Sequence, residues 1–84
     1  MNITITPQGV RIWDTLYPSG TVLLSVSGQK VSMIHTYSLQ HLISSYVPYT
    51  EVINEATGLA YASLAELETA FNNQAANPII SGNG

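Results

Sequence analysis

Thr21-Val22-Leu23-Leu24-Ser25-Val26-Ser27-Gly28-Gln29-Lys30-Val31-Ser32-Met33-Ile34-His35-Thr36 is the stretch on which the fold turns. Two runs rich in Val, Leu, Ile and Thr flank Ser27-Gly28-Gln29, the pattern of a β-hairpin closed by a glycine-containing loop. Val22, Leu24 and Val26 share one side of the first strand. In the second, Ser32, Ile34 and Thr36 alternate with Val31, Met33 and His35, which leaves apolar groups on both faces of the hairpin. Both faces then need cover: one from the domain's own helix, the other from a second sheet or a neighbouring subunit.

Towards the N-terminus, residues 2–6 alternate polar and apolar with Ile3 and Ile5 on one face, and Val10 and Ile12 resume the alternation after Pro7-Gln8-Gly9. This predicts two short strands. Tyr17-Pro18-Ser19-Gly20 reads as a turn, because Pro sets φ and Gly accepts a positive φ. Beyond the central hairpin, Leu39, Leu42, Ile43 and Tyr46 fall at helical spacing with Ser38 as a possible cap, so a short helix is expected over 38–47. Ser44, Ser45 and Val47 before Pro48 keep an irregular strand open as the alternative. A strand over 49–53, a turn over 54–58 with Gly58 in a left-handed conformation, and a returning strand over 59–61 form a second hairpin.

Ser63-Leu64-Ala65-Glu66 is a capping box: the Ser63 hydroxyl can accept from the Glu66 N–H while the Glu66 carboxylate reaches back to the Ser63 N–H. Leu64, Leu67 and Phe71 then repeat at helical spacing, and Glu66 and Glu68 lie near the positive end of the helix dipole. The helix should stop near Asn72-Asn73. Residues 74–84 hold Asn, Ala, Gly and Pro78 with little periodicity, so an extended tail is expected. Within it, Ile79 and Ile80 are a candidate docking point on a partner. The expected architecture is α+β: one small domain over 1–73, mostly antiparallel β-sheet with a C-terminal α-helix, followed by an extended C-terminal tail over 74–84.

The 84 residues are 45% apolar and 8% charged, and none is cysteine. A disordered chain, a disulfide scaffold, a cysteine-ligated zinc module and a thiol enzyme are thereby excluded. Arg11 and Lys30 against Asp14, Glu51, Glu55, Glu66 and Glu68 give a net charge of -3, too little cation to neutralise a nucleic-acid backbone. Apolar stretches of a few residues fall well short of the roughly 20 a membrane-spanning helix needs, so no membrane is expected. The N-terminus lacks the basic start and apolar run of a secretory signal, and the acceptor triplet Asn2-Ile3-Thr4 is read as chance.

Average soluble domains are roughly 25% charged, three times the figure here. A surface covered by uncharged side chains repels its own copies weakly, and a domain of this size buries only about 60% of its unfolded surface. Subunit contacts are therefore expected to supply stability that the core does not.

Catalytic constellations are few. His35 and His41 are the only imidazoles, and a metal needs at least three ligands, so no metal and no cofactor are expected. Asp14 is the only aspartate and no Gly-x-Ser-x-Gly elbow occurs, which leaves a Ser-His-Asp triad without support. Glu66 and Glu68 point apart on a helix, and Glu51 and Glu55 straddle a bend, so neither pair presents two carboxylates to one substrate. An enzyme is not expected. Among the aromatics, Tyr46 and Tyr49 bracket Val47-Pro48 and serve either an interface or the core. Trp13, between Arg11 and the Pro-Ser-Gly turn, is either an anchor into a partner or the lid of the core.

The stretch Ala56-Thr57-Gly58-Leu59-Ala60-Tyr61-Ala62-Ser63-Leu64-Ala65-Glu66-Leu67, a Thr-Gly hairpin running into a capped helix, resembles segments of small virion structural proteins of tailed bacteriophages. It spans under a fifth of the chain, and the weakly charged, Asn/Ser/Thr/Ala-rich composition is similar to such proteins too. The resemblance implies a head, connector or fibre component present in many copies and carries over no functional residue. The expectation is thus a multi-copy structural protein located in a virion, or otherwise in the cytoplasm. It would act through contacts with its own copies or other virion proteins, with Trp13, Tyr46, Tyr49, Ile79 and Ile80 as interface candidates. The alternative is a small monomeric module that holds a peptide or ligand at Tyr46-Val47-Pro48-Tyr49.

Overall fold

The computed structural model describes residues 2–36, 42–43, 45–74 and 79–81. Strands β1 (Ile3–Thr6), β2 (Gly9–Ile12), β3 (Thr15–Pro18), β4 (Val22–Ser27), β5 (Lys30–His35) and β6 (Val47–Pro48) precede a 3-10 turn at Tyr49–Glu51. Strands β7 (Val52–Asn54) and β8 (Leu59–Ala60), helix α1 (Leu64–Asn72) and strand β9 (Ile79–Ser81) complete the order. They form a five-stranded sheet, β3-β2-β1-β7-β8, and a four-stranded sheet, β6-β5-β4-β9. All pairings are antiparallel except β1 with β7 and β4 with β9. The protein is a small α+β domain with two largely antiparallel sheets and one helix near the C-terminus.

A single apolar cluster joins the layers. Ile3, Ile5, Val10 and Val52 come from the first sheet, Val22, Leu24, Val31 and Met33 from the second, and Leu67 and Phe71 from α1, all buried. The registers explain the selection: Ile5 faces Val10, Ile3 faces Val52, Leu24 faces Met33 and Val26 faces Val31, so the alternation read from the sequence becomes one continuous inner face. Tyr17 of β3 meets the ring of His35 of β5 edge-on, with 5.7 Å between centroids, and links the two sheets at their rim.

The opposite face of the β4–β5 hairpin, where Ser25 pairs with Ser32 and Leu23 with Ile34, is covered in part by the chain itself. The Tyr46 hydroxyl lies 2.8 Å from Ser25 Oγ, and both serines are buried. The second sheet and α1 together cover the inner face of the hairpin, and the segment leading into β6 covers part of this opposite face. The helix expected over 38–47 falls largely outside the described residues. Where 38–47 is described, Leu42, Ile43 and Ser45 are bends and Val47 opens β6. Ile43 is nonetheless buried, and its N–H donates to the Met33 carbonyl at 3.3 Å.

Two further corrections concern strands. Tyr17 and Pro18, expected in a turn, belong to β3, and the turn is confined to Ser19-Gly20. The strand is made possible by a two-residue reversal at Trp13-Asp14, where Trp13 takes φ +56, a conformation usually left to Gly or Asn. Of its two residue types only Asp14 favours a turn. Pro18 is tolerated because β3 is an edge strand, where its missing N–H interrupts no ladder. Tyr49, expected in a strand, starts the 3-10 turn, and the strand begins at Val52.

Around β1–β2 the polar groups are closely accounted for. Thr6 Oγ1 donates to the Gly9 carbonyl and accepts from the Gln8 N–H, each at 3.2 Å, and the Ser19 N–H donates to the Gln8 carbonyl at 2.8 Å. Gln74 reaches this turn from the far end of the chain. Its Nε2 donates to the Thr6 carbonyl at 2.6 Å and the Gly9 carbonyl at 2.7 Å, and the residue is buried. The body thus includes Gln74, the first residue of the expected tail. Further on, β9 adds in parallel to β4, with Ile79 opposite Leu24 and Ile80 opposite Ser25.

Candidate functional site

The five interface candidates fall in different settings. Trp13 is 64% exposed at the tip of the β2–β3 turn. Its backbone is anchored by the Trp13 N–H donating to the Asn2 carbonyl at 2.9 Å. A left-handed conformation at a non-glycine residue costs roughly 1–2 kcal/mol, and here it presents the largest apolar side chain in the protein to solvent. Tyr46 is half-buried with its hydroxyl engaged by Ser25, and Tyr49 packs against the apolar cluster while its N–H donates to the Gln29 carbonyl at 3.1 Å. Ile79 and Ile80 lie in β9, hydrogen-bonded to β4 of the same chain. The structure therefore does not bring the five together.

Two residues that the sequence reading passed over join Trp13 as exposed large apolar side chains: Leu16, 40% exposed, and Leu59, 68% exposed. Leu16 is in β3 and Leu59 in β8, the two outermost strands of the five-stranded sheet. Trp13 and Leu16 thus mark one edge of that sheet and Leu59 the other. Leu59 lies opposite Asn54, itself opposite the buried Ile5, so its place on the outermost strand leaves it exposed.

The electrostatics of the two edges differ. Arg11, the cation of this sheet, pairs across strands with Leu16, is exposed, and has no ion-pair partner among the described residues. Asp14 sits at the turn beside Trp13. At the other edge the exposed carboxylates Glu55 and Glu66 converge on Tyr61, just beyond β8. Burial, reinforced by Glu55 and then Glu66, pushes the Tyr61 phenol above its ordinary value.

Between α1 and the β7–β8 hairpin run two adjoining depressions of about 220 and 390 Å³, which share Asn54, Tyr61, Ala70 and Asn73. Of their ionisable groups, Glu66 is engaged at the start of the helix. Glu66 Oε2 accepts from the Ala62 N–H at 3.1 Å and its N–H donates to Ser63 Oγ at 3.2 Å. The capping box is therefore present, with the carboxylate one residue earlier than expected, on Ala62 rather than Ser63. Asn54 Oδ1 accepts from the Ala56 N–H at 2.9 Å and shapes the turn. Among the described residues the depressions are lined by no imidazole, lysine or arginine that could serve a carboxylate as acid–base partner.

Among the described residues no three His, Asp or Glu side chains come together as a metal site, and no helix is long and apolar enough to cross a membrane. His35 is taken up by its edge contact with Tyr17, while His41 lies outside the described residues. No family model matches the chain, and no curated protein or solved structure does.

Proposed function

We propose that this chain is a structural assembly protein, present in many copies, that works by burying sparsely charged sheet-edge surface against other protein. The observation that carries the reading is the placement of Trp13, Leu16 and Leu59: large apolar side chains left open at both edges of one sheet in a chain with seven ionised side chains among 84. Exposed aromatic anchors at well-defined backbone positions are the usual centres of protein interfaces, and strain retained at an exposed turn points to a role for the side chain it displays. A multi-copy particle is the setting in which such a surface is permanently covered, and a bacteriophage virion, as head, connector or fibre component, is the particle that the resemblance of 56–67 suggests. Sedimentation equilibrium over a wide concentration range tests the reading: assemblies larger than the 9.0 kDa chain support it, and a monomer at every concentration overturns it.

A further inference from the structure

We infer that the two depressions between α1 and the β7–β8 hairpin form one groove that takes a basic, apolar segment of a different protein, with a lysine or arginine side chain seated between Glu55 and Glu66. The inference rests on the assembly reading above for the role of Leu59, and adds to it the chemistry of the partner on that side of the sheet.

Strand register gathers the groove. Ile5 of β1 lies opposite Asn54 of β7, and Asn54 opposite Leu59 of β8, so the three side chains share the face of the sheet that packs on α1. Asn54 and the buried Tyr61 line both depressions, while Ile5 and Ala70 supply an apolar floor. Directly paired residues of antiparallel strands have Cβ atoms about 5 Å apart, so Leu59 stands beside Asn54 and, 68% exposed, extends the apolar surface out of the groove.

Charge chooses the occupant. Glu55 lines one depression and Glu66 the other, and both bear on the Tyr61 phenol between them. Among the described residues neither carboxylate forms an ion pair. The chain's two cations stand elsewhere. Arg11 pairs with Thr4 and Thr4 with Ile53, on the opposite face of the sheet, and Lys30 pairs with Pro48 in the other sheet. A cleft of one charge sign with apolar walls concentrates its field on what enters. Lysine and arginine suit both parts of it: the apolar stem lies along Ile5 and Ala70, and the charged head meets the carboxylates and Tyr61. Both cations of a second copy are held within strands β2 and β5, so an extended basic segment comes from a different protein.

Titration of the isotope-labelled full chain with the blocked peptide acetyl-Leu-Lys-Leu-amide, followed by amide chemical shifts, tests the groove. Saturable shifts should centre on Asn54, Glu55, Tyr61, Thr69 and Asn73. Replacing the peptide's lysine by glutamine should weaken binding about tenfold. Glu55→Gln and Leu59→Ser, both at exposed positions, should each weaken it about threefold while shifts elsewhere in the chain stay unchanged. An absence of saturable shifts at these residues, or equal affinity for the glutamine peptide, overturns the proposal. Equal binding of n-butylamine would make this a small-amine site, and the protein partner falls. Sedimentation of the same chain keeps the two readings apart: assembly without peptide binding overturns the groove alone, and peptide binding by a chain that stays monomeric overturns self-assembly alone.

Discussion

Gly9 is the position with the least freedom to vary. Its φ of +151 lies where side chains are rarely accommodated, and a Cβ built there would overlap the Tyr17 carbonyl oxygen and come within 2.8 Å of the Ser19 nitrogen. Both obstacles are backbone of the adjoining strand and turn, so no side-chain rearrangement relieves them. Gly9→Ala is expected to cost more than about 2 kcal/mol, read as a lowered urea midpoint at unchanged m-value. Pro7-Gln8-Gly9 was legible as a reversal, but the clash that makes glycine obligatory was not, because it depends on a third strand passing beside it. Gln74 was less legible still. Its two donors to Thr6 and Gly9 span more than sixty residues, and an amide side chain after a helix carries no local sign of such a role. Tyr61 gives a pH dependence with a definite sign. Its folded-state pKa is raised, so its contribution to stability is complete below about pH 10, the ordinary tyrosine value, and is lost as pH rises through the folded value. Tyr61→Phe should therefore lose less stability than the parent between neutral and strongly alkaline pH in denaturant titrations.

Helix α1 shows how a local signal survives folding. Ser63 caps it through the Glu66 N–H, Leu67 and Phe71 are buried as the spacing requires, and the helix ends at Asn72. Ser63→Ala removes one accepted hydrogen bond at the N-terminus and should cost about 1 kcal/mol, measured by thermal or urea unfolding. The central hairpin was equally legible, since its glycine loop and alternation are properties of contiguous residues. β3 was not. The reversal before it rests on Trp13 in a left-handed conformation, which is unfavourable in isolation and held by the pairing of Ile12 with Thr15 and the Trp13 to Asn2 hydrogen bond. β7 and β9 were partly hidden for a related reason: each pairs in parallel with a strand far away in the chain, and such pairing leaves no turn signal between the partners.

Among the described residues the molecule has one core, and the two edges of its five-stranded sheet differ in character. Its core draws on both sheets and on α1, so the elements unfold together, and any contact made only by the folded state stabilises all of them. For a self-assembling chain this predicts a thermal midpoint that rises by several degrees with each tenfold increase in protein concentration, followed by calorimetry or by the emission of Trp13, the only tryptophan. A midpoint independent of concentration would mean that the exposed edges contribute no association. The interface candidates show how far the surface could be foreseen. Trp13 is open, Tyr46 and Tyr49 are occupied by the chain's own packing, and Leu16 and Leu59 were missed because edge position, not residue type, exposes them.

Composition and local pattern were enough to establish a sparsely charged chain, a β-rich body, the central hairpin and a capped helix, since each depends on residue content or on residues close together in the chain. Which strands became edges, which tyrosines turned inward and which apolar side chains stayed in solvent depended on pairings between distant segments. Those pairings are chosen by the burial of the whole apolar face at once, and no window of sequence contains that sum.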